Sequence, residues 1–290
     1  MNPALSATGT VDDALRWGRV RLASSDSPAL DSQLLLGHVL GTSRAWLFAH
    51  GDDDLHSRQW RAFEGLVGRR AGGEPIAYLR GWVEWHGREY ASSPRALVPR
   101  PETERLLETA VELCTFIGAR TVADIGTGSG VIAAELALAL PAARIIAVDR
   151  SRKALSVAAD NLARVGATAR VTLLHGHLLE PIDEPPHAMV ANLPYLSLSM
   201  MRDLPREVRH EPCCALFGGG ETGLELYAEL LDQMLRRGWE IPIAAEIDPR
   251  QTEAARRLFS SSLPHLTVRV LDDYAHSPRI VMAARGSPGT

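Results

Sequence analysis

VADIGTGSG, residues 122–130, is the stretch of sequence that decides the fold, because an apolar run passes directly into a glycine-rich turn. An alanine-rich segment of helical character, Val131 to Leu140, follows the turn. A strand, a tight turn and a helix N-terminus in this order are typical of a ligand-binding turn in an α/β sheet. The glycines let the backbone approach a ligand, and free amide groups of the helix N-terminus point at it. The stretch therefore predicts an α/β domain with a small-molecule site at the turn.

The spacing of this turn and the acidic residues near it indicate which ligand binds. The glycines follow the pattern G-x-G-x-G, with Val131 where the dinucleotide fingerprint has its third glycine. No Gly-Lys-Ser/Thr follows, which disfavours a Walker-type phosphate site. The next predicted strand ends at Asp149, whose carboxylate can accept both ribose hydroxyls, while Asp124 is placed to orient the turn or to meet the ligand's amino group. The pattern favours S-adenosylmethionine, with S-adenosylhomocysteine as product, over a glycine turn with an incidental aspartate.

From residue 121 onward, short apolar runs alternate with helical patterns. Such alternation predicts a largely parallel sheet that is covered by helices on both faces. The predicted strands are Thr121–Ile125, Arg144–Asp149, Val171–His175, Ala188–Asn192, Pro242–Ile247, Val268–Leu271 and Ile280–Ala284. We therefore predict one α/β domain over residues 94–290, built on a seven-stranded, mostly parallel, Rossmann-like sheet.

The first part of the chain has a different pattern, which predicts a small helical bundle over residues 1–73. Apolar residues recur at helical spacing from Leu30 to Leu40 and from Trp60 to Val67, and no strand-like alternation appears. Residues 74–93 form a predicted linker, in which residues 82–90 alternate aromatic and polar side chains around a His-Gly turn, the pattern of a β-hairpin. A helical period resumes from Glu102 to Phe116.

Composition and charge limit the classes of protein to consider. The chain has 290 residues, 46% of them apolar, and a net charge of −4, which disfavours bulk electrostatic binding of nucleic acid. No apolar run is long enough to span a bilayer, and Met1 to Thr10 lack the features of a secretory signal, so we predict a cytoplasmic location and no membrane partner. The three cysteines include no C-x-x-C pair, so neither a disulfide framework nor a metal site is predicted.

The loop Asn192-Leu193-Pro194-Tyr195 carries the candidate chemistry. It follows a predicted strand, and ligands of doubly wound sheets bind beyond the carboxyl ends of strands, so we expect the loop beside the glycine turn. The side-chain oxygen of Asn192 and the backbone carbonyl of Leu193 can accept the hydrogens of a planar nitrogen, Pro194 stiffens the turn, and the Tyr195 ring offers a flat surface. The loop predicts methylation of such a nitrogen by positioning and desolvation. Taken alone, it is equally an ordinary Asn/Pro turn.

Several motifs along the chain carry a family resemblance. The most specific is Val98-Pro99-Arg100-Pro101-Glu102-Thr103-Glu104. The others are Glu74 to Gly81, Asp124 to Gly130, Glu211-Pro212, Ala215 to Gly219, Gly223 to Tyr227, and Glu246-Ile247 followed by Gln251. On these motifs, which span nearly the whole chain, the sequence resembles the protein-(glutamine-N5) methyltransferases that modify peptide-chain release factors.

The resemblance implies a class I methyltransferase domain preceded by a helical bundle that recognises the release factor as its protein partner. The implied substrate is the glutamine of the Gly-Gly-Gln loop, with no direct binding of nucleic acid. Asn192, Pro194 and Tyr195 would be the catalytic residues, and Leu193 would complete the set that holds the glutamine side chain. The implied contacts of S-adenosylmethionine are Gly126, Thr127, Gly128, Ser129, Gly130, Asp149, His177, Leu178 and Asn192.

Two positions depart from the family pattern. Leu193 stands where the family usually has the first proline of Asn-Pro-Pro-Tyr, and Asn-Leu-Pro-Tyr is familiar from ribosomal-RNA adenine dimethyltransferases. His177 stands where the family usually has an acidic residue near the adenine, and it is either a hydrogen-bonding partner of the base or a solvated loop residue. Three alternatives stay open: methylation of adenine in RNA or DNA, methylation of a ribosomal-protein glutamine, and a non-catalytic cofactor-binding module.

Overall fold

The computed structural model describes residues 9–286, which divide into two compact units. The first unit contains the chain up to Trp82 and a short return segment, Arg206–His210, and the second contains Val83–Pro205 and the chain from Glu211 onward. The division after Trp82 falls inside the predicted linker of residues 74–93, and the linker and its two flanking domains stay predictions. The outermost ends of those domains and most of the N-terminal stretch inspected for a signal lie outside the described residues.

Five helices and one pair of very short strands make up the first unit. The helices are α1 (Val11–Arg21), α2 (Pro28–Leu40), α3 (Arg44–Ala49), α4 (Ser57–Ala71) and α5 (Ile76–Arg80). They pack around Leu35, Leu36 and Phe63, which are fully buried, and this confirms the predicted helical region. The strands β1 (Gly9–Thr10) and β2 (Asp54–Leu55) pair antiparallel and were not predicted. Two residues are too few to produce a visible alternation in sequence.

A buried arginine holds the return segment within the first unit. The guanidinium of Arg70 on α4 donates to Asp31 on α2, with 2.6 Å between Nε and Oδ2, and to Glu207 of the return segment. Burial alone would lower the pKa of Arg70, but its bonds to the two carboxylates raise it overall. His210 of the same segment bonds the carbonyl of Gly72, 3.1 Å from Nε2. The segment is thereby held by an ion pair and by a hydrogen bond to the backbone. The ion pair matters because a buried cation is stable only when carboxylates or other acceptors surround it.

A β-hairpin forms at the predicted place. Its strands, β3 (Trp82–Trp85) and β4 (Arg88–Ala91), are joined by the His-Gly turn, whose two residues have φ of 49° and 72°. Two-residue hairpin turns require this left-handed backbone. The carboxylate of Glu135, 2% exposed, anchors the hairpin on the second unit. It accepts hydrogen bonds from three hairpin side chains: His86, Arg88 and Tyr90.

The second unit is built on one sheet of seven strands. They are β5 (Thr121–Ile125), β6 (Arg144–Asp149), β7 (Val171–His175), β8 (Ala188–Ala191), β9 (Ile243–Glu246), β10 (Thr267–Asp272) and β11 (Pro278–Ala284). Their order is β10-β11-β9-β8-β5-β6-β7, with parallel pairing from β9 to β7. At the other edge β11 is antiparallel to both of its neighbours, β9 and β10. The predicted seven-stranded, mostly parallel sheet is confirmed, with strand ends that differ by no more than two residues.

Helices cover both faces of this sheet. They are α6 (Thr103–Ile117), α7 (Val131–Ala139), α8 (Arg152–Arg164), α10 (Glu225–Arg236) and α11 (Thr252–Ser262). A further short helix, α9 (Leu198–Arg202), has no buried residue and stands between β8 and α10 in the chain; the numbering follows chain order. Successive strand residues point to opposite faces, so Val122 packs with α6 and α7 while Ala123 and Ile125 pack with α10 and α11. The chain leaves β5 towards β6 and later returns to β8 on the other side of β5, which opens a crevice between their carboxyl ends. Within residues 9–286, every helix is too short or too polar for a bilayer crossing.

We expect Gly130→Ala to destabilise the second unit strongly. Gly130 has a φ of 78°, and a Cβ added there would lie 2.7 Å from the Cβ of Ala158 on α8. A left-handed backbone costs an L-residue about 1–2 kcal/mol, and overpacking against Ala158 adds about 1–3 kcal/mol. The measurement is the free energy of unfolding in urea. Gly166→Ala is the matched control, because Gly166 has a φ of 71° but nothing within 4 Å of an added Cβ. Equal losses in the two variants would contradict the packing role of Gly130.

Candidate active site

An open cleft at the carboxyl ends of β5, β6 and β8 gathers most of the predicted site residues. It has a volume of about 990 Å³ and lies entirely within the second unit. The predicted residues that line it are Gly126, Thr127, Gly128, Ser129, Asp149, His177, Leu178, Asn192, Leu193 and Pro194. Two predicted residues are absent from its lining: Gly130, which packs against α8, and Tyr195, which lies behind the loop that bears it. The fold thus brings together residues that lie far apart in sequence.

The glycine turn is held by the neighbouring strand β6. The amides of Gly126 and Thr127 both donate to the carbonyl of Val148, each at 2.9 Å. A Cβ added at Gly128 would meet only a carbonyl oxygen at 3.9 Å, so this part of the backbone faces open space in the cleft. The turn therefore presents bare backbone to a ligand, which fits the close approach that S-adenosylmethionine requires.

The carboxylate of Asp149 ends β6 and faces the same cleft. Its Oδ2 accepts the amide of Gly128 at 2.9 Å, and its Oδ1 accepts the amide of Ser151 at 2.7 Å. Burial raises the pKa of Asp149, and these two amide bonds oppose the shift. Each oxygen keeps a second lone pair for a ligand hydroxyl. The side chain is thus oriented in advance for the two ribose hydroxyls of a nucleoside.

Asp124 supports the turn from inside the protein and does not line the cleft. It is fully buried, and its Oδ2 accepts the hydroxyl of Thr127 at 2.6 Å. Burial raises the pKa of Asp124 to about 7, against the opposing effect of the Thr127 bond. Of the two roles expected from the sequence, the position favours orientation of the turn.

His177, which departs from the family pattern, lines the cleft beside Leu178. Its Nε2 lies 2.9 Å from Oε1 of Glu229 on α10. Leu178 adopts a φ of 51°, and it packs into the apolar cluster beneath the cleft. The Glu229 carboxylate therefore contacts the imidazole at this corner of the cleft, although the residue at position 177 is not acidic. Only the fold reveals this, because Glu229 lies on an ordinary amphipathic helix.

The loop from Asn192 to Tyr195 is fixed by hydrogen bonds on its inner side. Nδ2 of Asn192 donates to the hydroxyl of Thr103 at 3.1 Å, and the amide of Leu193 donates to the hydroxyl of Tyr227 at 3.2 Å. The hydroxyl of Tyr195 donates to Glu246, 3.1 Å from Oε1, and burial raises the pKa of Tyr195 well above its usual value. The Tyr195 ring is therefore tied down at its polar end.

Sequence reasoning left several residues of the site without a role. Glu211, almost fully buried, accepts the amide of Val98 at 3.0 Å and pairs with the guanidinium of Arg100. Residues 95–100 and Thr103 form a wall of the cleft. Of these, Val98 to Thr103 and Glu211 stand in motifs that carry the family resemblance, so the motifs were the available signal. The contact between Val98 and Glu211 joins residues more than a hundred positions apart, so no local sequence pattern predicts it.

The fold and the cleft define the class of protein. A mostly parallel seven-stranded sheet, a glycine turn beside Asp149 and the Asn192 loop at one crevice make this chain a Rossmann-like, S-adenosylmethionine-dependent methyltransferase. Two family descriptions match it: "PrmC N-terminal domain" over residues 13–81 and "Methyltransferase small domain" over residues 103–204.

Comparison with whole proteins identifies the family. The release factor glutamine methyltransferase of Moorella thermoacetica is 37% identical over 95% of this chain and 99% of its own length. The enzyme of the same name from Bordetella pertussis is 42% identical over 82% of this chain and 88% of its own length. The chain belongs to the release factor glutamine methyltransferase family. Among solved structures, the hMettl16 catalytic domain in complex with MAT2A 3'UTR hairpin 6 is similar in fold, with a TM-score of 0.55, 12% identity, and coverage of 78% of this chain and 94% of that one.

We expect Asp124→Asn to reduce the loss of stability that accompanies a rise in pH. The pKa of Asp124 is about 7 in the folded protein against an ordinary 3.8, so between these values the folded state keeps a proton that the unfolded state has lost. Stability then falls by up to about 1.4 kcal/mol per pH unit in this window. Asparagine has a similar shape, still accepts from Thr127 and does not titrate.

The measurement is the free energy of unfolding at pH 5 and pH 7 for both proteins. Wild type should lose about 2–3 kcal/mol more than Asp124→Asn between these values. Burial also raises the pKa of Asp149 and Glu246, but these groups are present in both proteins, so the difference isolates Asp124. Parallel losses would show that Asp124 is not the group that titrates.

Proposed function

We propose that this chain transfers a methyl group from S-adenosylmethionine to the side-chain amide nitrogen of a glutamine in peptide-chain release factors. The proposed target is the glutamine of the Gly-Gly-Gln loop. Membership of the release factor glutamine methyltransferase family supports the reaction. The observation that carries it in the structure is the orientation of Asn192, whose Nδ2 donates to the hydroxyl of Thr103 and whose Oδ1 is left for a ligand.

Two acceptors of the loop are available to hold a planar nitrogen. Within the described residues, neither Oδ1 of Asn192 nor the carbonyl of Leu193 accepts a hydrogen bond, and both residues line the cleft. A primary amide carries two hydrogens on one nitrogen, so the two oxygens can bind one hydrogen each. This grip would fix the nitrogen in line with the methyl donor and raise its electron density. Asn192 and Leu193 are proposed as the residues that make it, with Pro194 stiffening the turn.

The cofactor supplies an electrophilic methyl group on its sulfonium when bound. We assign its binding to the glycine turn, Gly126 to Gly130, to Asp149 for the ribose, and to His177, Leu178 and Asn192 nearby. An amide nitrogen is a weak nucleophile, so the work of the protein is alignment and exclusion of water. A strong base is not required before transfer, because the nitrogen's proton becomes acidic only once the methyl is attached. Tyr195 does not line the cleft, so the flat surface expected of its ring is not proposed; Tyr195 is assigned to hold the loop through its bond to Glu246.

Substrate identity is proposed to depend on residues outside the loop. Asn-Leu-Pro-Tyr specifies only a planar nitrogen, whereas the helical region of residues 1–73 is proposed to bind the release factor. Residues 74–93 are the proposed linker, and residues 94–290 the proposed catalytic domain. Release factors act in translation termination, so the cytoplasm is the proposed location.

We expect labelled S-adenosylmethionine to mark a full-length release factor and not the same factor with its loop glutamine changed to alanine. The physical reason is that alanine has no side-chain amide nitrogen for the two acceptors to hold. The measurement is incorporation of the labelled methyl group into protein, followed by mapping of the modified peptide. Total RNA and ribosomal protein serve as competing substrates. Label that ignores the substitution, or that enters only RNA, would overturn the proposal.

We expect Asn192→Ala to lose turnover while it keeps most of its affinity for the cofactor. Removal of Oδ1 takes away one of two acceptors of the nitrogen, and loss of positioning typically costs about 100-fold in kcat. Cofactor affinity should change by about threefold or less, since the glycine turn and Asp149 are intact. Single-turnover rates and calorimetric titration of S-adenosylmethionine measure the two quantities. Activity within a few-fold of wild type would eliminate the assigned role.

A further inference from the structure

Three side chains from three separate elements meet behind the Asn192 loop. Thr103 opens α6, Asn192 follows β8, and Glu246 ends β9. The hydroxyl of Thr103 lies 3.1 Å from Nδ2 of Asn192 and 2.7 Å from Oε2 of Glu246. Thr103 is 4% exposed and Glu246 is 1% exposed, so water does not compete for these bonds. The three groups form one continuous chain of hydrogen bonds that ends at the cleft.

The hydroxyl of Thr103 gives this chain a direction. A hydroxyl has a single proton, and a carboxylate can only accept, so Thr103 donates to Glu246. It can then only accept from Asn192, and of the two terminal atoms of a carboxamide only the nitrogen donates. Nδ2 of Asn192 must therefore face Thr103, which leaves Oδ1 without a bond to Thr103 in a residue that lines the cleft.

The carboxylate of Glu246 is committed to this arrangement through both of its oxygens. Oε1 accepts the hydroxyl of Tyr195 at 3.1 Å, while Oε2 accepts that of Thr103. The guanidinium of Arg279 attracts its negative charge. The backbone carbonyl of Glu246 also accepts the hydroxyl of Tyr227 at 2.5 Å, and that hydroxyl in turn accepts the amide of Leu193. One residue thus supports the loop at its beginning, its middle and its end.

We propose that Thr103 and Glu246 are positioning residues that fix the rotation of the Asn192 carboxamide, so that its oxygen and not its nitrogen meets the substrate. The inference rests on the proposed function, because it concerns Oδ1 of Asn192, the atom proposed to accept a hydrogen bond from the glutamine nitrogen. A carboxamide turned by 180° would oppose an N–H donor to the N–H of the substrate. Oxygen and nitrogen have nearly the same size, so only hydrogen bonds can select between the two rotations.

The test compares two threonines of the same helix. Thr103→Val removes the hydroxyl at nearly constant shape, and Thr103→Ser restores it. Thr109→Val is the matched control, because Thr109 also lies on α6, is 2% exposed, and loses a hydroxyl bond of 2.9 Å to the carbonyl of Arg105. We expect Thr103→Val to lower kcat by about 10- to 100-fold with an unchanged Kd for S-adenosylmethionine. Thr103→Ser should recover most of kcat, and Thr109→Val should stay within about threefold of wild type.

A double-mutant cycle separates positioning from general damage. If Thr103 acts through Asn192, Thr103→Val should cause no further loss of kcat in the Asn192→Ala background. A merely structural role would produce losses that multiply. Glu246→Gln is a second variant, which also serves if Thr103→Val fails to fold. A carboxamide at position 246 can donate to Thr103, so the hydroxyl of Thr103 is no longer forced to accept from Asn192. We expect kcat to fall by about tenfold. Thermal unfolding of every variant checks that the fold is retained.

The outcomes distinguish this inference from the proposed function. Wild-type protein that does not methylate the release-factor glutamine refutes the proposed function before any variant is measured. Wild-type activity with Thr103→Val within threefold of wild type in kcat overturns the positioning role alone. A loss in Thr109→Val as large as in Thr103→Val, or multiplying losses in the cycle, also overturns it. The positioning role is supported if Thr103→Val lowers kcat selectively and Thr103→Ser restores it. The third requirement is that Thr103→Val has no further effect on kcat in the Asn192→Ala background.

Discussion

The buried carboxylate of Glu246 is the constraint on which the catalytic end of the sheet depends. Removing a charge from water is costly unless donors surround it, and here two hydroxyls and a nearby guanidinium do so. Burial raises the pKa of Glu246, and the bonds from Thr103 and Tyr195 oppose that shift. Those donors lie on α6 and on the loop after β8, so the hydrogen bonds to this carboxylate hold three chain segments together. The same bonds that compensate the burial of Glu246 therefore also position the Asn192 loop.

The cofactor side of the cleft is organised by a different kind of bond. There the strand β6 provides acceptors, the Val148 carbonyl and the Asp149 carboxylate, and the glycine turn provides amides. Asn161, fully buried on α8, extends this framework because Nδ2 donates to the Ser129 carbonyl while Oδ1 accepts the amide of Ala91 in the hairpin. The hairpin and the turn are consequently linked through one side chain. Backbone and side-chain groups together fix the turn, whereas side chains fix the loop.

The features that the sequence could predict are those with a local period. Seven strands and the hairpin were predictable because apolar runs, alternation and glycine turns each occupy about ten neighbouring residues. The gathering of Gly126, Asp149 and Asn192 followed from a topological rule about strand ends. The bond from Thr103 to Glu246 joins residues 143 positions apart, and nothing in either neighbourhood encodes it. The return of Arg206–His210 to the first unit is equally nonlocal, since it depends on a buried Arg70.

The leucine at position 193 holds its carbonyl in a way that a proline could not. Its amide donates to the hydroxyl of Tyr227, whereas proline has no amide hydrogen and restricts the backbone through its ring. A ring lowers the entropy of the chain at every temperature, but a hydrogen bond is an enthalpic restraint that weakens as thermal motion grows. Chains with leucine here and chains with proline therefore align the same carbonyl by different thermodynamic means. In the leucine form the alignment of the nitrogen acceptor depends on the hydroxyl of Tyr227, so the restraint comes from a side chain outside the loop.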